Sequence, residues 1–455
     1  MKHNPLHQRR AGVLLHPTSL PSGTLDTDAE KWLDWMHQCH LSIWQVLPLS
    51  IPDFFGSPYQ SCSAFAMNTD LIADMPAKPE INSKEFSRFI EQQAHWLTDF
   101  ALFVVLKNQF DDAPWYLWPD EFRLHNEKTL TGFHASHVND IENIMWQQFV
   151  VYERWQQVSE YAHEKGIFLF GDMPIFVAHD SADVWANSEE FLLDENHNPT
   201  YVAGVPPDYF SETGQRWGNP HYDWLNMLGN GFNWWRKRMK HAFDCFDIIR
   251  IDHFRGLESS WMIEADEETA IKGFWQQTPG DELLTALFDE FEDPAIVAED
   301  LGVITPEVRA LRDQFNLPGM SILQFAFDAF DDNPHKPINI SENTVVYTGT
   351  HDNDTTAGWF NSLQRHERDY VFTILQSEPR NDIAHCLIET ALYTNANTAV
   401  VPLQDILQLS SEHRMNTPGE KQNNWSWRFK WQQLNDSNCK FMKHHIDKSE
   451  RYHAG

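Results

Sequence analysis

Eight short apolar runs recur along the 455-residue chain, at 12–15, 43–47, 167–170, 247–251, 296–298, 321–325, 344–347 and 398–401. They are nearly continuous in polarity rather than alternating, the pattern of strands covered on both faces, as in a parallel sheet. Helical stretches lie between them. Residues 144–164 precede the third run, and 307–315 follow the fifth, where Thr305-Pro306 supplies an N-cap and a proline at the first helical position. Eight buried strands alternating with helices predict an α/β fold closed into a (β/α)8 TIM-type barrel. Such a barrel needs about 250 residues. The surplus falls in two gaps, 48–166 and 172–246, each longer than one helix requires. Helical and loop insertions are therefore expected after strands two and three, as subdomains at about 50–142 and 176–235 within one barrel domain spanning 1–435. The last stretch, 436–455, is polar and is expected to be a tail frayed at its end.

Acidic residues outnumber basic ones, 66 to 34, for a net charge of −32. The average surface therefore repels phosphate backbones and anionic lipid, so neither nucleic acid nor membrane is an expected partner. Cys39, Cys62, Cys245, Cys386 and Cys439 are odd in number, far apart and free of any Cys-x-x-Cys pair, which suggests neither a disulfide framework nor a zinc knuckle. After the basic start only Val13-Leu14-Leu15 is continuously apolar, too short for a signal-peptide core. A cytoplasmic location is the expectation. No phosphate-cradling glycine loop ending in Gly-Lys-Ser/Thr occurs, and no organic cofactor is inferred. Oligomeric state is left open.

Three acids sit just past proposed strands: Asp252 after strand four, Glu299 after strand five and Asp352 after strand seven. In a barrel these strand ends open on one face, where active sites of this fold lie. Arg250 and His253 flank the first acid, Asp300 follows the second, and His351, Asn353 and Asp354 surround the third. Retaining cleavage of a glycosidic bond uses such a set. One carboxylate attacks the anomeric carbon while a protonated carboxyl about 5–5.5 Å away donates to the leaving oxygen. The two pKa values must be driven apart, and Arg250 is a suitable cation for keeping the nucleophile ionised. The alternative is that each acid caps a helix or solvates a loop, and position alone does not name a substrate. Of 19 tryptophans, several fall in loops, as Trp185, Trp217, Trp224, Trp359, Trp425 and Trp427 do. Flat aromatic faces pack on sugar rings, although most tryptophans are expected to be core.

Several motifs together resemble the 4-α-glucanotransferases, also called amylomaltases or disproportionating enzymes. They are Gly171-Asp172-Met173-Pro174-Ile175, Gly204-Val205-Pro206-Pro207-Asp208-Tyr209-Phe210, Arg250-Ile251-Asp252-His253-Phe254-Arg255-Gly256, Ala298-Glu299-Asp300-Leu301-Gly302 and Gly349-Thr350-His351-Asp352-Asn353-Asp354-Thr355. Ser57-Pro58-Tyr59-Gln60-Ser61 and Arg414-Met415-Asn416-Thr417-Pro418-Gly419 add to the match, which runs from about residue 10 to 430 in the compact, core-only form. The resemblance implies that Asp252 is the nucleophile, Glu299 the acid/base and Asp352 the stabilising acid. It further implies that Arg250 and His351 bind sugar hydroxyls, that Tyr59 and Asn416 line the donor side, and that the loop carrying Asp208 and Trp217 covers bound glucan. Asp172 would shape the barrel mouth. Donor and acceptor would be α-1,4-glucans and maltooligosaccharides, with the segment transferred by double displacement through a covalent glycosyl-Asp intermediate.

The chain departs from the family pattern at three places: Gly23-Thr24-Leu25-Asp26-Thr27, Pro52-Asp53-Phe54-Phe55-Gly56 and Phe327-Asp328-Ala329. The competing reading is an α-1,4-glucan hydrolase of the amylase kind, with water as acceptor. A non-catalytic glucan-binding barrel would be expected to lose acids that are all present here. A metal-dependent barrel hydrolase needs ligands clustered at the strand mouths, and the first strand offers only His16, so no metal is expected.

Overall fold

The computed structural model describes residues 4–81, 83–208, 211–380, 382–420 and 422–453. Twelve strands are present among them: β1 (Arg10–Leu14), β2 (Ile43–Gln45), β3 (Phe168–Pro174), β4 (Tyr201–Val205), β5 (Gln215–Pro220), β6 (Ile248–Asp252), β7 (Ser259–Glu264), β8 (Phe274–Gln277), β9 (Ile296–Ala298), β10 (Gly319–Ile322), β11 (Thr344–Tyr347) and β12 (Thr398–Pro402). Eight of them form one parallel sheet in the order β10-β11-β12-β1-β2-β3-β6-β9. At the remaining seam the Ala298 N–H donates to the Pro318 carbonyl at 2.9 Å, so the sheet is a nearly closed barrel. Each of the eight apolar runs supplies one barrel strand. The sixth is shifted, because Leu323–Phe325 turns into a 3-10 helix just beyond the strand.

Continuous apolarity has a direct structural cause. Leu14, Ile43, Phe170, Ile248, Val297, Ile322, Val345 and Val400 point inward and fill the barrel as a cluster of their own. Their neighbours Val13, Trp44, Leu169, Val346 and Ala399 point outward and are covered by the surrounding helices. Each such fully buried aliphatic or aromatic side chain stabilises by roughly 1.5–3 kcal/mol. Phe170→Ala would leave a cavity in the barrel centre and cost about 3–5 kcal/mol.

After β2 the chain builds helices Lys84–Gln92, Leu97–Gln109 and Glu127–Ser136 before the long helix Val138–Glu164 returns it to the barrel. After β3 come helix Ala182–Ala186, the β4–β5 hairpin and helix Trp224–Gly229. A third excursion, between β6 and helix Gly280–Glu290, carries β7 and β8 and was not legible in the apolar pattern. Its strands join the hairpin in a four-stranded antiparallel sheet ordered β5-β4-β7-β8. Every residue of β8 is exposed, so no buried run marks it.

Two expectations are corrected at the C-terminus. The stretch from 436 is not a plain polar tail: Asp436–Lys448 is a helix capped by Asn435, whose side chain accepts from the N–H groups of Ser437 and Asn438, and the end expected to fray, residues 454–455, lies outside the described residues. Cys439, Met442 and Ile446, spaced for one helical face, press onto the barrel's outer helices. The second correction is that Cys39 and Cys439 form a disulfide across 400 residues, with their Cα atoms 4.7 Å apart. The helix Asp26–Gln38 ends where the C-terminal helix docks, a proximity that cysteine spacing could not reveal. Beyond it, the fully buried Arg451 donates to the carbonyls of Arg10, Leu392, Thr394, Ala396 and Asn397 at 2.7–3.2 Å. No helix among the described residues is long and apolar enough to cross a membrane.

Candidate active site

Strand alternation puts the chemistry at the barrel mouth. Ile249 and Ile251 of β6 face the helices, so Ile248, Arg250 and Asp252 face the barrel axis. The β3–β6 register sets Asp172 opposite Arg250. The β6–β9 register pairs Ile251 with Ala298, so Asp252 and Glu299 emerge as the next neighbours above it.

Arg250 forks onto Asp172, Nε to Oδ1 at 2.9 Å and Nη2 to Oδ2 at 2.7 Å, and Nη2 also reaches Asp252 Oδ1 at 2.8 Å. Asp172 is wholly buried, while the Asp252 side chain keeps 32% of its exposure, so its second oxygen faces the cleft. The Tyr59 hydroxyl donates to Asp172 Oδ2 at 2.6 Å and lies 2.9 Å from His351 Nε2. Tyr59 has one proton and gives it to the carboxylate. His351 is therefore assigned as the Nε2–H tautomer donating to Tyr59. Burial lowers the His351 pKa, which keeps the ring neutral and the donor role intact.

Glu299 sits in a backbone cradle: Oε2 accepts from the His253 N–H at 2.8 Å and Oε1 from the Leu301 N–H at 3.1 Å. His253 adopts a left-handed backbone, φ 54°, which turns its N–H toward Glu299 immediately after Asp252. Burial raises both carboxyls above the usual range, Asp252 well above and Glu299 to about 7. Arg250 hydrogen-bonds directly to Asp252 and not to Glu299, an asymmetry that favours charge on Asp252 over Glu299.

Asp352 comes from the loop after β11. Asn416 Nδ2 donates to its Oδ1 at 2.6 Å, Arg414 Nη2 donates to its carbonyl at 2.9 Å, and His351 Nε2 stands 3.4 Å from Oδ2. Trp217 reaches the site from β5, its ring edge-on to His253 at 4.8 Å between centroids. Asp208 folds back on its own turn, its carboxylate accepting from the Ser211 N–H at 2.8 Å. Tyr209 and Phe210 of the same motif lie outside the described residues. Trp425 packs on Tyr59 and His351, each at 5.9 Å between ring centroids.

Asp252, Glu299, Asp352, Arg250, Tyr59, His351, Asn416 and Trp217 are thus joined by contacts at one end of the barrel. Sequence reasoning gave Asp172 only a shaping role, whereas it is the anchor of Arg250; pairing β3 with β6 would have revealed it. The links of Arg414 and Trp425 to the site span more than sixty residues of chain and left no local signal. Among the described residues, no group of three or more His, Cys, Asp or Glu side chains could hold a metal ion.

The family model described as 4-alpha-glucanotransferase matches residues 14–81 and 73–434. The chain belongs to the 4-alpha-glucanotransferase family. It is similar to the 4-alpha-glucanotransferase of Synechocystis, at 43% identity over 95% of this chain and 96% of that one. To the Thermus thermophilus 4-alpha-glucanotransferase it is 41% identical, over 92% of this chain and 94% of that one. Among solved structures it resembles the amylomaltase from Streptococcus agalactiae in complex with acarbose: TM-score 0.93, 33% identity, covering 98% of this chain and all of that one. The Corynebacterium glutamicum amylomaltase shares the fold, at TM-score 0.76 and 16% identity.

Proposed function

We propose that this family member transfers α-1,4-glucan segments between maltooligosaccharides by retaining double displacement, with Asp252 as nucleophile, Glu299 as acid/base and Asp352 as stabilising acid. The observation that carries the assignment is the asymmetry between neighbouring carboxyls. Arg250 holds Asp252 Oδ1, while Glu299 rests on two backbone N–H groups with its pKa pushed up to about 7 by burial.

In the first step Asp252 Oδ2, the oxygen not bound by Arg250, attacks the anomeric carbon while the Glu299 proton passes to the departing glycosidic oxygen. Positive charge developing on the sugar ring is met by the carboxylate of Asp352, which Asn416 and Arg414 orient. A glycosyl ester on Asp252 results. Glu299, now ionised, takes the proton of an incoming 4-hydroxyl, and that oxygen displaces Asp252 with net retention. Transfer outpaces hydrolysis because the acceptor is held in place while water is not. Trp217 beside His253 and the insertions after β2 and β3 supply the walls. Donor and acceptor are neutral glucans, which suits a net charge of −32, and the reaction is assigned to the cytoplasm.

The test is incubation of purified protein with maltotriose alone, followed by chromatography. A ladder of shorter and longer maltooligosaccharides with little rise in reducing ends is expected. Glucose and maltose accumulating without longer products would instead mean hydrolysis, and an unchanged substrate would remove the activity.

A further inference from the structure

We infer that Asp405 is a positioning residue for Asp352, clasping both feet of the loop that carries it. This rests on the proposed role of Asp352 in glucan transfer.

The loop leaves the barrel at Thr348, directly after β11, and ends at Thr356, the first residue of helix Thr356–Ser362. His351 and Asp352 lie midway between these feet. Asp405 comes from a different part of the chain, the short helix Leu403–Ile406 directly after β12. Its Oδ2 accepts from Thr348 Oγ1 at 2.6 Å and from Thr356 Oγ1 at 2.6 Å, and its Oδ1 accepts from the Thr356 N–H at 2.7 Å. Asp405 is 1% exposed and both threonines 0%, so all three bonds are sealed from water.

One carboxylate thus fixes the strand end and the helix start relative to each other. Hydrogen bonds to a buried carboxylate are stronger than neutral ones, and leaving its donors unpaired is costly, so the loop has one favoured span. The same stretch of chain then turns over the loop and pins it from above, through Arg414 to the Asp352 carbonyl and Asn416 to its carboxylate. Asp352 is thereby held from two sides by a single segment, residues 403–416. Asp405 itself lies under the loop and reaches no substrate. Its effect on catalysis passes through the placement of Asp352, which matters most in the charged transition state.

The experiment compares Asp405→Ala and Asp405→Asn with wild type in maltotriose disproportionation, recording kcat, KM and the thermal midpoint separately. Displacing Asp352 by an ångström lowers kcat for Asp405→Ala by roughly 100-fold while KM stays within about threefold, on protein still folded at the assay temperature. Asp405→Asn keeps an acceptor oxygen for two of the three donors and holds kcat within about tenfold. A purely structural role predicts the opposite: a lower midpoint but wild-type kcat in the folded fraction, or equal losses in Ala and Asn. Either result overturns the inference. Should Asp405→Ala fail to fold, Thr348→Val removes one donor alone, and a wild-type kcat there is equally fatal. Asp352→Asn serves as the control. If it retains turnover, the underlying assignment of Asp352 fails; if it is inactive while Asp405→Ala is normal, only the clasp does.

Discussion

Arg250 grips Asp172 with two nitrogens, at 2.9 and 2.7 Å, and both side chains are buried. One of those nitrogens, Nη2, also donates to Asp252. The buried pair at the floor of the site therefore fixes where Asp252, the proposed nucleophile, stands. Arg250→Lys keeps a positive charge but lacks the planar fork, so it cannot hold Asp172 and Asp252 in this geometry at once. We expect kcat to fall about 10²–10³-fold. Loosening the buried pair should also lower the midpoint in chemical denaturation.

Glu299, with its pKa pushed up to about 7 by burial, makes kcat/KM fall as pH rises through that value, because the deprotonated residue cannot supply the leaving-group proton. Glu299→Gln removes this alkaline limb along with most activity. Stability follows with a worked sign. The folded carboxyl binds its proton more tightly than the unfolded one, so its contribution to folding diminishes as pH climbs from the ordinary glutamate range to about 7. Glu299→Gln should accordingly melt higher than wild type at pH values above that point, with the advantage disappearing in acid. A melting difference that grows toward low pH would contradict the assignment.

Trp217 stands against His253, whose N–H holds Glu299, so under the proposed roles its ring lines the side from which an acceptor approaches. Trp217→Ala should weaken acceptor holding and leave the glycosyl ester open to water. Transfer is expected to fall about tenfold relative to hydrolysis, since an aromatic wall of this kind contributes about 1–3 kcal/mol. The check is the ratio of longer oligosaccharides to new reducing ends from maltotriose.

Arg451 offers the converse case at the opposite end of the barrel, where this fold keeps stability rather than chemistry. Arg451→Ala removes five hydrogen bonds to carbonyls; Asn397 keeps the Arg10 N–H and Leu392, Thr394 and Ala396 keep Arg9, so the cost is about 1–3 kcal/mol. The melting midpoint should drop while kcat at low temperature stays at the wild-type value. A loss of kcat without loss of stability would show coupling across the barrel.

The barrel was legible because each of its strands buries both faces, leaving a nearly continuous apolar run, as at Ile248–Ile251 around Arg250 or at Thr398–Val401. The acids were legible for the same reason: once the strands are placed, Asp252, Glu299 and Asp352 fall at or just beyond their C-terminal ends. The antiparallel sheet was not, since Phe274–Gln277 is exposed throughout and Gly204 pairs where a side chain would collide with the Gln215 carbonyl. The C-terminal helix hid its apolar face in Cys439, Met442 and Ile446 among charges. Links made between distant segments, such as Asp352 with Asn416 or Cys39 with Cys439, depend on the finished fold and leave no periodicity to read.

The pairing of β1 with β12 carries a cost in time. Residue 10 finds its partner at residue 398, so at about 5–20 residues per second the ribosome spends roughly 20–80 s making the chain between them. Throughout that interval one edge of β1 is bare, with apolar Val13 and Leu14 and an unpaired row of backbone groups beside it. The nascent chain is thus a sheet with an open margin for most of its synthesis. Helper proteins that shield such margins, and a slow final zipping, should matter more to its yield in the cell than the stability of the closed barrel does.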